Sequence, residues 1–399
     1  MDASGLRMVF LLAALGVFTF LMWKDRENVE RAGILFYRRT ENGIELIDRI
    51  ANRFPRFWKM YSWTGVAAAV VSIVAITYFI GKSVLNVVLT GQPSSSFGVV
   101  APGTGSSVSA QPGVTFIPAE YWLISIAVLM AVHELSHGIV ARLEEFEINS
   151  VGLILLGVIP GAFVEPKGEN MLPGEKEEDE DGDGSHHGAW HQGNWLSRVK
   201  VLSAGSFANY VTAAVFLLAA AGASSQLVYA DGLNYQTQEG FPAAEAGMQN
   251  GTLTAINSTE IEGVKSLQKA TETLQPGEKV RLVTSEGNFT VTTTEKEGFE
   301  GGYIGLKFTG VKTGYTDVVQ GYEGVVDWFL EMLRMVGLLN LGIGLFNMLP
   351  AKPLDGGHIL DAVVERFAGE KYCRYVNIWS GFVILVLVSV LAYSIIGPF

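Results

Sequence analysis

The stretch YWLISIAVLMAVHELSHGIVARL, residues 121–143, limits the fold of this chain more than any other feature, because it is long and apolar enough to span a membrane. It contains the motif H-E-L-S-H at residues 133–137. On a helix, His133 and His137 share one face, where both imidazoles can bind a single Zn²⁺. Glu134 can accept a proton from water bound to that zinc. Ionisable side chains inside a membrane are costly and usually functional, so this stretch predicts a metal site within a spanning helix.

The composition supports a membrane protein. Of 399 residues, 49% are hydrophobic and only 17% are charged, and the mean hydropathy is +0.29, which is too apolar for an ordinary soluble enzyme. The net charge of -12 argues against nucleic acid as a partner. The single cysteine, Cys373, excludes an internal disulfide framework, and a lone cysteine is more often a small core residue than a nucleophile.

The apolar segments predict the fold class, a polytopic α-helical membrane protein with about six transmembrane helices and an inserted α+β soluble domain. Several segments are about 20 residues long, which is enough to cross a hydrocarbon core of roughly 30 Å. The first is followed by no A-x-A-like cleavage site, so we expect an anchor and not a removed signal peptide. The six segments lie near residues 8–23, 62–81, 120–143, 195–222, 325–350 and 376–397.

The distribution of basic residues predicts the orientation of these spans. Residues 24–60 are rich in Lys and Arg, whereas residues 91–119 contain neither. Because cytoplasmic loops carry the excess of positive charge, we expect 24–60 inside and 91–119 outside. The helix with the H-E-L-S-H motif then runs from outside to inside, and both termini lie outside. The acidic, Gly-rich loop 165–194 is predicted to be a solvated cytoplasmic segment, whose histidines are weak metal-binding candidates.

Residues 223–318 interrupt the apolar pattern with a predicted α+β soluble domain on the outside. Short β-type runs, TLTAI, KVRLVT and FTVTT, alternate with turn signals, and GVKSLQKATETL predicts a helix. The opening, GFPAAEAGMQNGTLTAINSTEI, resembles a PDZ domain of membrane-associated and periplasmic proteases. Gly251-Thr252 stands where that pattern has Gly-Asp, so two interpretations stay open, a peptide-binding domain and a PDZ-shaped spacer that binds nothing.

A second motif, FNMLPAKPLDGGHIL at residues 346–360, lies at the inner end of the fifth span. Pro350 must disrupt the helix there, because proline lacks an N–H and clashes with the preceding turn. We expect Asp355 to turn its carboxylate inward from this break. A carboxylate is the usual third zinc ligand beside two histidines, with a fourth position left for water. The predicted orientation of the spans puts this motif and H-E-L-S-H at a similar depth.

Together these motifs resemble the site-2 proteases, a family of intramembrane zinc metalloproteases. The resemblance rests on residues 133–137 and on the order of the H-E-x-x-H span, a further span, a PDZ-like insert and the L-D-G span. It covers about residues 120–360 and does not explain residues 1–60. It also rests on the pattern N-x-x-P-x-x-x-L-D-G at Asn347, Pro350, Leu354, Asp355 and Gly356.

The resemblance implies a ligand set and a reaction. His133, His137 and Asp355 would bind one Zn²⁺ per chain, and Glu134 would be the catalytic base. The substrates implied are transmembrane helices, usually of regulatory proteins already trimmed by another protease. Ala204-Gly205-Ser206 stands where many members of the family have Ala-Gly-Pro, a departure that concerns packing more than chemistry.

Two asparagines and one apolar segment are further candidates. Asn347 is a hypothetical ligand of the substrate backbone or of the oxyanion, and Asn209 invites the same hypothesis; for both, the alternative is a hydrogen bond between buried helices. The segment VGLILLGVIPGAFVEP, residues 151–166, is too short before Pro160-Gly161 to span, so we expect a re-entrant element. It either pairs with an extended substrate by strand addition or forms a plug beneath the site.

The predicted function is therefore an intramembrane zinc metalloprotease in a prokaryotic plasma membrane, with its active site toward the cytoplasm. Its partners would be transmembrane substrates, the lipid bilayer and a peptide ligand of the PDZ-like domain. The alternatives are a proteolytically silent chaperone or scaffold for transmembrane segments and a metal transporter, although internal repeats typical of transporters are not evident. The predicted domains are an N-terminal anchor and basic loop, two parts of a protease core and the PDZ-like insert between them, at residues 1–60, 61–222, 319–399 and 223–318, respectively.

Overall fold

The computed structural model describes nine stretches of the chain and four isolated positions. Eight of the stretches are longer than two residues, namely 29–32, 35–40, 42–91, 98–105, 108–111, 113–156, 159–167 and 193–396; the ninth is the pair 23–24. The isolated positions are 13, 16, 20 and 190. The chain divides into two compact units. One comprises Met1–Ala220 and Trp328–Phe399, and the other comprises Ala221–Asp327.

The elements follow in chain order. The helices of the described residues are α1 (Asn42–Arg53), α2 (Pro55–Thr90), α3 (Ala119–Leu143), α4 (Trp195–Leu227), α5 (Pro242–Glu245), α6 (Val264–Thr271), α7 (Glu323–Asn347), α8 (Asp355–Phe367) and α9 (Cys373–Ile396). The strands are β1 (Val29–Ala32), β2 (Leu35–Thr40), β3 (Val99–Gly103), β4 (Ser109–Gln111), β5 (Val114–Pro118), β6 (Ile148–Leu156), β7 (Ile159–Pro166), β8 (Val228–Thr237), β9 (Gly251–Ile256), β10 (Thr259–Glu260), β11 (Lys279–Thr284), β12 (Gly287–Thr292), β13 (Thr294–Lys296), β14 (Phe299–Tyr303) and β15 (Leu306–Tyr315).

Five helices of the described residues are long and apolar enough to cross a membrane: α2, α3, α4, α7 and the segment Glu370–Ile396 that contains α9. They coincide with five of the six predicted spans. The first predicted span, 8–23, falls almost entirely outside the described residues. Helix α2 is much longer than its predicted apolar segment, since its 36 residues extend about 54 Å. It begins at Pro55, which suits a first helical turn, and ends at Gly91, whose left-handed backbone (φ 63°) lets its N–H bond to Val87.

The break after α7 places the second motif. The predicted helix 325–350 ends at Asn347, and α8 begins at Asp355. A Cβ on Gly357 would overlap the backbone of Ala351 and Lys352, so only glycine allows α8 to start this close to the preceding loop. The predicted bent end of one helix is therefore two helices joined by an irregular turn, with Asp355 as the first residue of the second.

The segment predicted to be re-entrant is an antiparallel hairpin formed by β6 and β7. It belongs to a four-stranded sheet with the order β1-β2-β6-β7. Strands β1 and β2 lie within the predicted basic segment 24–60, and β2 pairs with β6, more than 100 residues later in the chain. Helix α1 packs on α3 and on the sheet through a buried apolar cluster of Ile47, Ala51, Ile139, Ile148, Val151 and Val164.

The second unit contains the predicted α+β elements. Its main sheet has the order β12-β11-β9-β8-β15, with β10 beside β9. In β11 the alternation of KVRLVT buries Val280 and Leu282 in the apolar core of this unit and leaves Lys279 and Arg281 outward, as period two requires. The β-type runs predicted at 252–256, 279–284 and 289–293 correspond to β9, β11 and β12, and the helix predicted at 263–274 is present as α6.

Candidate metal centre

Two helices bring together the three predicted metal ligands. In α3, His133 and His137 lie on one face, and their Nε2 atoms are 3.0 Å apart. Oδ2 of Asp355, at the start of α8, lies 3.3 Å from Nε2 of His133 and 3.6 Å from Nε2 of His137. Three ligands at tetrahedral positions about 2.05 Å from a zinc ion would be about 3.3 Å apart. The three atoms therefore stand where a tetrahedral metal site needs them.

The chemistry of these donor atoms also fits a cation. Oδ2 of Asp355 is buried and accepts no hydrogen bond from any described residue. A buried carboxylate oxygen without a donor is costly unless a positive charge compensates it. Among the described residues, His133, His137 and Asp355 are the group of three His, Cys, Asp or Glu side chains close enough to hold one ion. The residues present thus fit a zinc ion.

Helix α4 lies directly behind the histidines. Nδ1 of His137 lies 2.7 Å from the carbonyl oxygen of Val201. A carbonyl can only accept, so Nδ1 carries the hydrogen and Nε2 keeps a lone pair directed at the site. This orienting contact has no signature in the sequence, because it depends on how closely α3 and α4 approach each other.

The two candidate asparagines occupy different sides of His133. Nδ2 of Asn347, the last residue of α7, lies 3.5 Å from Nε2 of His133, on the side of the ligand atoms. Nδ2 of Asn209 lies 3.1 Å from Nδ1, on the opposite side of the ring, and the residue is 0% exposed. Asn209 is therefore enclosed behind the ring of His133 and does not lie on the side of the ligand atoms. Asn347 and Asp355 lie on two successive helices and not on one span.

Glu134 faces the hairpin. The backbone N–H of Val164 in β7 is directed at its carboxylate. A Cβ on Gly138, one turn later in α3, would press against the side chains of Ile47 and Val164, so α3 and β7 are in close contact. The base predicted from the motif thus lies between the two ligand histidines in sequence and beside the free backbone edge of β7 in space.

Two tyrosines that the sequence did not single out connect the helices around the site. The hydroxyl of Tyr61 in α2 lies 2.9 Å from Oγ of Ser136, and both hydroxyls donate to the carbonyl of Ala204. The hydroxyl of Tyr210 in α4 donates to Oγ of Ser72, at 2.8 Å, and also lies 3.2 Å from the carbonyl oxygen of Gly344. These hydrogen bonds hold α2, α3, α4 and α7 in register around the ligands.

Among the described residues, His358 is the one further histidine, and it does not belong to the group of three converging ligands. His358 lies one turn after Asp355 in α8, and burial, together with the nearby charge of Lys352, lowers its pKa and favours the neutral ring. The loop histidines His186, His187 and His191 lie outside the described residues.

Comparison with known proteins gives the family context. Residues 121–390 match the family model described as "Peptidase family M50", a range that includes both motifs and the second unit. The chain is 26% identical over 335 residues to a Clostridium perfringens protein named "Putative zinc metalloprotease", with 67% of this chain and 95% of that protein covered.

Two further relatives align with different shares of this chain. An uncharacterized protein of Methanocaldococcus jannaschii is 23% identical over 379 residues, which are 93% of this chain and 88% of that protein. A protein of Arabidopsis thaliana named "Membrane-bound transcription factor site-2 protease homolog" is 25% identical over 141 residues, 35% of this chain and 26% of that protein. The similarity to the archaeal protein thus extends along almost the whole chain, including the part before the family match.

Proposed function

Since this chain belongs to peptidase family M50 and is a metalloprotease, we propose that it cleaves peptide bonds within or near the transmembrane helices of membrane-bound proteins. One observation carries the proposal. Two histidines of one apolar helix and an aspartate more than 200 residues later converge on one point beside Glu134. A proteolytically silent scaffold has no need of this complete set of ligands and base.

The chemistry follows from the residue types. His133, His137 and Asp355 would hold Zn²⁺, which when bound polarises the scissile carbonyl and acidifies a water molecule. Glu134 accepts the proton of the attacking water and passes it to the leaving amine. Nδ2 of Asn347, on the side of the ligand atoms, donates to the oxygen on which negative charge develops.

We further propose that an extended substrate segment adds as a strand to β7. The backbone N–H of Val164 is directed at Glu134 and not at β6. Because backbone groups alternate along a strand, Ala162 directs its N–H and C=O to the same edge. No strand of the described residues pairs with this edge. A substrate strand there would expose its peptide bonds beside the base, which an intact substrate helix cannot do.

Site-specific crosslinking distinguishes the addition of a substrate strand to β7 from the alternative, in which residues 151–166 form a plug beneath the site. A photoreactive residue at Ala162 should crosslink to a substrate held by the inactive Glu134→Gln variant. The photoreactive residue in place of Asn149, which is exposed in β6, is the control and should not crosslink to the substrate. Consistent absence of crosslinks from Ala162 would favour the plug.

We also propose the orientation in the membrane and the partners. The basic segment 24–60 lies in the cytoplasm, 91–119 lies outside, and residues 223–318 form an extracytoplasmic PDZ-like domain that either binds a peptide or is a spacer. The substrates are regulatory membrane proteins, and the membrane is a prokaryotic plasma membrane. In a Cys373→Ser background, a membrane-impermeant maleimide should label Ser109→Cys in intact cells and Arg56→Cys only after lysis. The reverse labelling pattern would invert the proposed topology.

Metal analysis tests the site itself. Wild-type protein purified in detergent should contain about one zinc ion per chain, and His133→Ala and Asp355→Asn should lose it. A chelator should abolish cleavage of a single-span substrate, and added Zn²⁺ should restore it. Zinc in the wild type that both substitutions leave in place would refute this ligand set.

A further inference from the structure

Both ligand histidines are held from behind by α4, but by groups of different chemistry. His137 contacts the carbonyl of Val201, which can only accept a hydrogen bond. His133 contacts the side-chain amide of Asn209, which can donate through Nδ2 or accept through Oδ1. The group behind His137 therefore fixes its tautomer, whereas the group behind His133 fixes a tautomer only if one particular amide atom faces the ring.

His133 can bind a metal through Nε2 in only one of its two neutral tautomers. Its Nε2 faces Nε2 of His137 and Oδ2 of Asp355, and it offers a lone pair there only if the ring hydrogen is on Nδ1. That hydrogen needs an acceptor, because the ring is buried. Oδ1 of Asn209 belongs to the side chain that contacts Nδ1, and it is itself buried with no donor among the described residues. A half turn of the amide exchanges Nδ2 and Oδ1 in nearly the same volume and makes Oδ1 of Asn209 the acceptor for the hydrogen on Nδ1 of His133.

We propose that Asn209 is a positioning residue of the metal site, whose Oδ1 accepts the hydrogen of Nδ1 and so holds His133 in the ligand tautomer and orientation. This inference rests on the proposed zinc site. It assigns the asparagine of α4 to metal affinity, and not to substrate or oxyanion binding. Removal of such an outer partner of a ligand histidine typically weakens metal binding 10- to 100-fold.

The chain offers a matched control in α7. Asn340 is also 0% exposed and also lies in a spanning helix, and its Nδ2 donates to the carbonyl of Val336, one turn earlier. Its amide contacts no ligand of the site among the described residues. Truncation of either asparagine removes a buried amide from the membrane core, but only one truncation removes the acceptor of a ligand histidine.

The experiment measures zinc affinity of the full chain in detergent by competition with a chromophoric chelator, and the visible spectrum of the Co²⁺-substituted protein. Asn209→Ala and the volume-filling Asn209→Leu should bind zinc 10- to 100-fold more weakly than wild type and shift the Co²⁺ bands. Asn209→Asp keeps an acceptor oxygen and should stay within a few-fold of wild type. Asn340→Ala should match wild type in both measurements.

Three outcomes would overturn the inference: wild-type affinity in Asn209→Ala, equal losses in Asn209→Ala and Asn340→Ala, or a loss in Asn209→Asp as large as in Asn209→Leu. The last would indicate a packing role. A wild-type protein that binds neither metal would instead refute the proposed zinc site, so the two failures are distinguishable. Thermal unfolding of every variant identifies those that lose the fold.

Discussion

Gly205 lies so close to His137 that a Cβ on residue 205 would overlap the ligand nitrogen Nε2. The same Cβ would stand 2.7 Å from Cε1 of His133. The absence of a side chain thus lets α4 approach α3 closely enough for Val201 and Asn209 to reach the far nitrogens of both rings. The close approach of α4 to α3 therefore requires glycine at position 205, and the hydrogen bonds behind both ligand histidines require this close approach.

Gly205→Ala should therefore weaken zinc binding. The added methyl group must displace His137, and a displacement of about 1 Å can cost on the order of 100-fold in rate. We expect at least a ten-fold loss of zinc affinity and no detectable cleavage. Gly222→Ala, in the same helix, is the control, because a Cβ at that position has no neighbouring atom within 4 Å. Full zinc affinity in Gly205→Ala would contradict the described packing.

Ser136→Ala should lower stability more than it changes the chemistry. The substitution removes the hydrogen bonds of Ser136 with Tyr61 in α2 and with the Ala204 carbonyl in α4, and leaves the bond from Tyr61 to Ala204. A typical net contribution is about 1 kcal/mol per hydrogen bond. The thermal midpoint in detergent should fall, and Tyr61→Phe combined with Ser136→Ala should cost less than the sum of the two. Ser389→Ala removes only an exposed bond within α9 and should have little effect.

The ion pair of Asp48 and Arg142 predicts a pH dependence of stability. Arg142 donates two hydrogen bonds, of 2.5 and 2.9 Å, to the Asp48 carboxylate, and this donation lowers the pKa of Asp48. A folded-state pKa below the unfolded value stabilises the fold above about pH 4, and this contribution disappears as the pH falls through the folded pKa. Both side chains are partly exposed, so the contribution is at most about 1 kcal/mol.

Thermal midpoints of wild type and Asp48→Asn, measured from pH 7 to pH 3, check this expectation. The variant should be less stable at pH 7, and the difference should shrink toward zero at the acid end. A difference that stays constant over this range would show that the carboxylate charge is not responsible.

Asn347→Ala should separate catalysis from metal binding. The amide lies on the side of the ligand atoms and not behind a ring, so its loss should leave zinc content unchanged. Loss of an oxyanion donor typically lowers kcat by 10²- to 10³-fold. Single-turnover cleavage of a single-span substrate measures this change. Normal turnover in a folded Asn347→Ala protein would rule out the oxyanion role.

The ligands could be predicted from the sequence because their spacing reflects local geometry. His133 and His137 are four positions apart, which places them on one face of any α-helix. Asp355 was recognisable from the prolines and glycines around it, but its place at the start of α8 was not. That place depends on the contact of Gly357 with the backbone of Ala351 and Lys352, which no local pattern encodes.

Contacts between distant segments account for most of what the sequence could not predict. The pairing of Leu35–Thr40 with Val151–Leu156 depends on register between strands far apart in the chain. The orientation of Asn209 toward Nδ1 of His133 depends on the relative rotation of α3 and α4. Because α4 has polar residues on several sides, its sequence does not indicate which side faces α3. For the same reason, no sequence pattern identifies the hydroxyl of Tyr61 as a partner of Ser136 and Ala204.

The most direct test compares wild type with Glu134→Gln on a panel of single-span membrane substrates. Glutamine keeps the size of the side chain but cannot accept the proton of the attacking water. We expect a shortened product with wild type only, and equal zinc content in both proteins. Equal cleavage by both proteins, or no cleavage of any substrate by a zinc-loaded wild type that instead retains the uncut chains, would contradict the assignment of this site as a proteolytic centre.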